Sequence, residues 1–286
     1  MGVMSNRIRS DFIVVDDVRT HYLEAGCGYP VVLLHSGEFG ASAELSWEYN
    51  IDALAQRFRV IAPDWLGFGQ TDKLYDFAQG SGRRVRHMQR FLSAIDVQSA
   101  FFIASSMGAS VLARQVAARS GAFPVRAMVL SAGGGFVPNN SFRQDVVDYD
   151  CTIDSMRKIV SVLFESPCWP TDDEYVRRRY ESSLTLGAWE ATAAARFRSP
   201  TSSPRTAEGQ PDITPYENID CRTLVVAGAQ DKLRQPGYAD EIVARIPRSE
   251  LQVYDKCGHF PHVELAARFN ADALDFLGRC MESRDA

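Results

Sequence analysis

The chain has 286 residues and 45% of them are hydrophobic, which is enough for one large α/β domain with a substantial core. It has 31 basic and 36 acidic residues, and its longest basic run is Arg177 to Arg179. Because phosphate binding needs clustered Lys and Arg, these numbers exclude a nucleic-acid surface. No run approaches the ~18 apolar residues of a membrane span, so we expect no membrane partner.

Six cysteines are scattered along the chain without a C-x-x-C pair. The pattern indicates neither a zinc site nor a disulfide framework, and the N-terminus has no apolar stretch of signal-peptide length. We therefore expect a reduced, cytoplasmic protein without a bound metal.

Two short strands separated by Asp16 and Asp17 open the chain, at 13–15 and 20–24. They predict an antiparallel hairpin at the edge of a sheet. Six short apolar runs follow, bounded by turn residues: 30–34, 58–62, 100–104, 125–130, 223–227 and 251–254. Between them lie helical patterns at 46–56, 84–95, 107–120, 236–246 and 263–279. Nearly continuous apolar strands that alternate with helices predict a mostly parallel central sheet flanked by helices.

The alternation stops between about 140 and 210, where the pattern is helical and richer in charge. We predict helices at 155–165, 172–183 and 187–197, then a loop at 199–215. Thr171 followed by three acidic residues marks the start of the second helix. The chain is thus expected to divide into a core (1–139), an inserted helical lid (140–210) and the rest of the core (211–286).

The sequence Ala104-Ser105-Ser106-Met107-Gly108 lies between a predicted strand and a predicted helix. It matches the nucleophile elbow G-x-S-x-G with Ala in the first position. Small residues at both ends allow strand and helix to pack closely, while the tip presents a serine hydroxyl at the helix N-terminus. Ser106 is therefore the candidate nucleophile, against the alternative of an ordinary helix-capping serine.

An aspartate and a histidine follow later strands in the order that this chemistry needs. Asp231 comes directly after the run 223–227, and His259 lies in a loop after 251–254. Histidine has a suitable pKa to deprotonate serine, and an aspartate can hold its tautomer. We predict the triad Ser106, Asp231 and His259, with His262 as the competitor for the role of base.

The loop His35-Ser36-Gly37-Glu38 follows the first parallel strand. Its small residues allow a backbone N–H to approach a substrate oxyanion, so Gly37 and Met107 are predicted to form the oxyanion hole. His35 is interpreted as a residue that fixes this loop. Glu38 either faces solvent or, if it points inward, repels an anionic substrate.

From about residue 12 to 280 the chain resembles the α/β-hydrolase superfamily, and within it the meta-cleavage-product hydrolases, which hydrolyse carbon–carbon bonds in aromatic catabolism. The segments that carry this likeness are 40–43, 58–64, Gly67-Phe68-Gly69-Gln70-Thr71-Asp72-Lys73, Arg178-Arg179-Tyr180-Glu181 and Cys257-Gly258-His259.

The resemblance implies a cofactor-free reaction on a small-molecule substrate, a 2-hydroxy-6-oxo-dienoate. The histidine helps to ketonise the dienol, the new carbonyl is attacked with Ser and His in concert, and an acid and a 2-hydroxydienoate leave. By the same resemblance Arg179 would bind the substrate carboxylate, against the alternative that Arg177 to Arg179 form a solvated helix face. Ser36, Ser105 and Phe260 would line the substrate site. A homo-oligomer is left open.

The chain also departs from the family pattern. Ser105 stands where Asn is usual, Phe260 where Trp is frequent, and the glycine-rich oxyanion loop contains Glu38. A carboxylesterase or lactonase with the same triad would not need Arg179, and haloperoxidase side activity stays open. Dehalogenases and epoxide hydrolases have Asp in place of Ser106. A binding module on this fold is disfavoured because such proteins usually lack an intact triad.

Overall fold

The computed structural model describes residues 8–76, 81–194, 209 and 211–282. Within these residues eight strands form one sheet in the order β1-β2-β4-β3-β5-β6-β7-β8. The strands are β1 (Arg9–Val15), β2 (Val18–Ala25), β3 (Pro30–Leu34), β4 (Arg59–Pro63), β5 (Ala100–Ser105), β6 (Val125–Ser131), β7 (Arg222–Gly228) and β8 (Ser249–Tyr254). β1 and β2 pair antiparallel, β2 pairs antiparallel with β4, and the six strands from β3 to β8 are parallel. The prediction of a mostly parallel sheet is confirmed.

Helices cover both faces of this sheet. The described helices are α1 (Ala43–Trp47), α2 (Ile51–Leu54), α3 (Ser81–Ala94), α4 (Met107–Ala117), α5 (Ser141–Val147), α6 (Ile153–Leu163), α7 (Cys168–Thr171), α8 (Asp173–Ser183), α9 (Ala188–Ala194), α10 (Tyr238–Val243), α11 (Pro261–Glu264) and α12 (Ala266–Glu282). Two hydrophobic clusters, one on each face, explain why the parallel strands read as continuous apolar runs. All six residues of β5, the central strand, are buried.

The predicted edge hairpin is present and longer than the sequence indicated. Asp16 and Asp17 both have positive φ, 50° and 63°, and Val15 pairs with Val18 across the turn. A two-residue hairpin turn with both residues in the left-handed region matches the twist of the strands, and Asp tolerates that conformation. β1 extends back to Arg9 along residues that alternate in exposure, a pattern that apolar content alone does not reveal.

Two helices that the sequence predicts as continuous are each broken. The pattern at 46–56 forms α1 and α2, and the side chain of Asn50 between them donates to Asn270 Oδ1 and to the carbonyl of His262. The pattern at 263–279 starts earlier, as α11, and is interrupted at Leu265, whose φ and ψ are −123° and 47°. The first break thus lies where the Asn50 side chain bonds α11 and α12.

The predicted helices at 155–165 and 172–183 correspond to α6 and α8. Asp172, not Thr171, caps α8: its carboxylate accepts from the Tyr175 N–H at 3.0 Å, whereas the Thr171 hydroxyl bonds carbonyls of the preceding turn. A third hydrophobic cluster joins these helices to Phe39, Leu233 and Phe260 of the core. The helix at 187–197 and the loop at 199–215 lie partly outside the described residues, and the division at 140 and 210 stays a prediction.

The described helices include none that combines the length and the apolar character needed to cross a membrane.

Candidate active site

Ser106 lies at a sharp turn between β5 and α4. Its φ and ψ are 50° and −109°, a backbone conformation that is strained for a residue with a side chain and that recurs at functional sites. Its N–H donates to the Ser131 carbonyl at 2.8 Å. A Cβ on Gly108 would lie 2.5 Å from the Leu34 carbonyl oxygen, so glycine is required for α4 to pack against the end of β3. The turn therefore presents the Ser106 hydroxyl at the start of α4.

The structure brings Ser106, His259 and Asp231 into one hydrogen-bonded array. His259 Nδ1 lies 2.7 Å from Asp231 Oδ2, and His259 Nε2 lies 2.8 Å from Ser106 Oγ. A carboxylate only accepts, so Nδ1 carries the proton and Nε2 accepts from the serine hydroxyl. The side chains of His259 and Asp231 are each only 2% exposed, which strengthens the hydrogen bond between them.

The loops that carry Asp231 and His259 are positioned by contacts to each other and to the lid. Asp231 Oδ1 accepts from the Leu233 N–H at 2.9 Å. The His259 N–H donates to the Leu163 carbonyl, the last residue of α6, at 2.8 Å. A Cβ on Gly258 would lie 2.8 Å from the same carbonyl oxygen, so glycine permits the approach. The end of α6 thus helps to hold His259, the candidate base, in place.

His262, the competing base, lies in an aromatic environment. Its ring is 4.7 Å from Trp47, 5.1 Å from Phe260 and 5.9 Å from Phe269, measured between centroids. Neither ring nitrogen has a hydrogen-bond partner among the described residues, and burial lowers the pKa of His262 to about 3, with a smaller contribution from His259. The base assignment therefore belongs to His259.

The two predicted oxyanion-hole residues are neighbours. A Cβ on Gly37 would lie 2.5 Å from Met107 Sδ and 3.0 Å from Met107 Cβ, so only glycine allows the loop to lie against the start of α4. Met107 is the first residue of that helix, whose N-terminus favours negative charge. This arrangement suits stabilisation of an oxyanion next to Ser106.

His35 holds the same loop. Its Nε2 accepts from the Trp65 N–H at 3.0 Å, so its Nδ1 carries a proton and donates to the Ser36 carbonyl at 2.7 Å. Burial lowers the pKa of His35, which suits this neutral tautomer. The interpretation of His35 as a residue that fixes the loop agrees with these bonds.

Ser36 and Ser105 are fully buried beside the nucleophile and the oxyanion loop, and their hydroxyls have no hydrogen-bond partner among the described residues. Buried hydroxyls normally have partners. Two unused hydroxyls in this position suit their predicted role as ligands of a polar substrate. Phe260, the third predicted lining residue, is buried directly after His259, with its ring 5.7 Å from the histidine ring.

Arg179 does not present a free guanidinium as the sequence suggests. It is fully buried and its Nη2 donates to Glu38 Oε1, while Nη1 donates to the Tyr175 hydroxyl at 3.1 Å. Burial opposes the charge of Arg179, but Tyr175 and Glu38 keep its pKa raised. Glu38 therefore points inward, which corrects the solvent-facing alternative.

Tyr175 was not anticipated from the sequence, although it lies one helical turn before Arg179 on the same face of α8. Burial raises its pKa to about 12, so it is a neutral phenol at physiological pH. In the described part of the chain, no three His, Cys, Asp or Glu side chains cluster so as to hold a metal ion.

Comparisons with known proteins give relatives over nearly the whole chain. A family model described as the α/β-hydrolase fold matches residues 30–265. The 2-hydroxy-6-oxo-6-(2'-aminophenyl)hexa-2,4-dienoic acid hydrolase of Metapseudomonas resinovorans is 32% identical and covers 94% of this chain and 90% of its own. The 2-hydroxymuconate semialdehyde hydrolase of Pseudomonas sp. strain CF600 is 28% identical, covering 93% and 92%. A meta-cleavage product hydrolase of Pseudomonas fluorescens IP01, solved with acetates, has a TM-score of 0.80 and 25% identity, covering 94% and 97%.

Proposed function

Because this chain belongs to the α/β-hydrolase family, we propose that it cleaves a carbon–carbon bond of a 2-hydroxy-6-oxo-dienoate by hydrolysis, with Ser106, His259 and Asp231 as its triad. The observation that carries the proposal is the continuous array from Asp231 through His259 to Ser106, at 2.7 and 2.8 Å. The names of relatives 32% and 28% identical supply the substrate class. A reducing, cytoplasmic setting is part of the proposal, supported by six free cysteine thiols.

The geometry assigns a role to each group. His259 Nε2 is placed to take the Ser106 proton as the hydroxyl attacks the substrate carbonyl, and later to return a proton to the departing carbon. Asp231 stabilises the imidazolium formed between these two steps. The start of α4 and the Gly37 backbone would stabilise the oxyanion.

Carbon–carbon cleavage further requires that the dienol is first converted to its keto form, so that the departing fragment leaves as a stabilised enolate. The unused hydroxyls of Ser36 and Ser105 are suitable ligands for the oxygens of such a substrate. Water, deprotonated by His259, would then attack the acyl group left on Ser106 and free the serine, so that the products are a carboxylic acid and a 2-hydroxydienoate.

A second candidate is a carboxylesterase or lactonase with the same triad. The observation in its favour is the ion pair between Arg179 and Glu38, since an arginine already paired with a carboxylate is less available to a substrate carboxylate. A neutral ester or lactone needs no such cation.

A panel assay separates the two candidates. Purified protein is tested with dienol diketones that carry a carboxylate, with neutral aryl esters and with lactones, and Ser106→Ala provides the background rate. We expect the highest kcat/KM for a dienol diketone, whose hydrolysis is measured as a loss of its absorbance. Turnover of esters or lactones with no turnover of any dienol would refute the carbon–carbon hydrolase.

A further inference from the structure

Glu38 and Arg179 form a buried ion pair between the core and the lid. Glu38 lies in the loop after β3, next to Gly37, and Arg179 lies in α8. Arg179 Nη2 donates to Glu38 Oε1, and the two residues are 0% and 6% exposed. Two opposite charges from distant parts of the chain thus meet beside the predicted oxyanion hole.

The guanidinium also lies near Phe260. Its central carbon is 5.6 Å from the ring centre of Phe260, which directly follows His259. Its Nε is buried and has no hydrogen-bond partner among the described residues. An unused donor in a buried position is costly unless a ligand supplies the acceptor. The arginine therefore keeps one unused donor, while its charge is already balanced by Glu38.

From this arrangement we propose that Glu38 is a specificity-determining residue that competes with a substrate carboxylate for Arg179. A bound carboxylate would place two anions against one cation in a buried site, which is unfavourable. A carboxylate must therefore displace Glu38 before it pairs with Arg179, whereas a neutral acyl group does not compete. The inference rests on the proposed function in one respect, namely that the natural substrate carries a carboxylate.

The first test removes the charge of Glu38 and keeps its shape, by Glu38→Gln. The matched control is Glu48→Gln, because Glu48 pairs at 2.9 Å with Arg178, the neighbour of Arg179 in the lid. The measured quantity is kcat/KM for a carboxylate-bearing dienol divided by kcat/KM for a neutral aryl ester. We expect Glu38→Gln to raise this ratio about tenfold or more, the effect of one charge-assisted hydrogen bond, and Glu48→Gln to leave it unchanged. An unchanged or lower ratio in Glu38→Gln would overturn the proposal.

The second test does not need turnover. Binding of benzoate and of neutral benzamide is measured by calorimetry with the Ser106→Ala variant, with and without Glu38→Gln. Benzoate affinity should rise about tenfold or more, and benzamide affinity should stay the same. If benzoate affinity rises in Glu38→Gln but wild type hydrolyses no dienol, the proposed function fails and the role of Glu38 stands. If dienols are hydrolysed but benzoate binding does not change, the function stands and the role of Glu38 is refuted.

Removing one partner of a buried ion pair leaves the other charge uncompensated and can prevent folding. Glu38→Asp guards against this outcome, because it keeps the charge but withdraws the carboxylate by one methylene. It should give a smaller gain in benzoate affinity over the Ser106→Ala parent, of about two- to fivefold. A folded Glu38→Asp protein without any gain would count against the proposal.

Discussion

At the scale of single residues, the catalytic geometry depends on one strained serine and one well-partnered histidine. Ser106 is held at a φ of 50°, and His259 is bonded at both ring nitrogens. Strain of this kind persists only where the surrounding structure enforces it. Here the Ser131 carbonyl and the glycine-dependent packing of α4 provide that enforcement.

Ser106 and His259 are expected to act as a unit. Ser106→Ala and His259→Ala should each lower kcat by about 10³-fold or more, and the double variant should be little worse, because members of a triad are not additive. Steady-state kinetics with the best substrate of the panel gives the three values. Losses that multiply in the double variant would show two independent roles and contradict the mechanism.

At the scale of elements, the predicted lid makes contacts that hold the loop of His259, the candidate base. Glu264 at the end of α11 accepts from the Gly258 N–H at 2.7 Å and from the Ser166 N–H, just beyond α6, at 2.6 Å. One carboxylate therefore joins the histidine loop to the lid. A truncation over 140–210 would remove the Leu163 carbonyl that holds His259.

Glu264 is accordingly a positioning residue, and Glu264→Gln tests it. The Glu165 and Ser166 N–H groups donate to one carboxylate oxygen and the Gly258 N–H to the other, and an amide has only one acceptor oxygen, so one side of this link is lost. We expect kcat to fall about 10- to 100-fold with little change in KM, and phosphonate labelling of Ser106 to slow in parallel. The matched control is Glu165→Gln, which removes a neighbouring carboxylate that lies 3.7 Å from Lys232. It should change neither kcat nor the labelling rate. A higher KM with an unaltered labelling rate would indicate a role in substrate binding instead.

At the scale of the whole molecule, His262 links stability to pH. Burial lowers its pKa to about 3 in the folded protein, against an ordinary value near 6.5 in the unfolded chain. The unfolded chain therefore binds a proton that the native state rejects as the pH falls below about 6.5. Stability is lost through this window, down towards pH 3, and is unaffected above it.

His262→Phe should remove this pH dependence, because the ring lies among aromatic side chains and has no hydrogen-bond partner to lose. The difference in free energy of unfolding, variant minus wild type, should be higher at pH 5 than at pH 7 by roughly 2 kcal/mol. Denaturant unfolding at the two pH values measures it, and the titration of other groups cancels in the difference. An equal effect at both pH values would mean that His262 gains no proton on unfolding.

Much of this protein can be read from the sequence, because the relevant signals are local. The apolar runs locate the six parallel strands to within two residues, since strands covered on both faces admit few polar residues. The turn around Ser106 is recognised from small residues at fixed offsets, and the order Ser106, Asp231, His259 follows from loops that end parallel strands at one edge of a sheet.

The contacts that local patterns do not reveal join groups far apart in the chain. The partner of Arg179 is Glu38, which is 141 positions away, and no local pattern distinguishes it from a solvent-facing carboxylate. Asn50 interrupts a helical pattern because its amide reaches Asn270, and Glu264 joins loops that lie almost 100 positions apart. Hydrophobic periodicity reports which face of an element is buried, but the pairing of buried polar groups is settled only when the faces meet. The fold and the candidate triad can therefore be read from the sequence pattern, while the pairing of Arg179 with Glu38 is decided by packing.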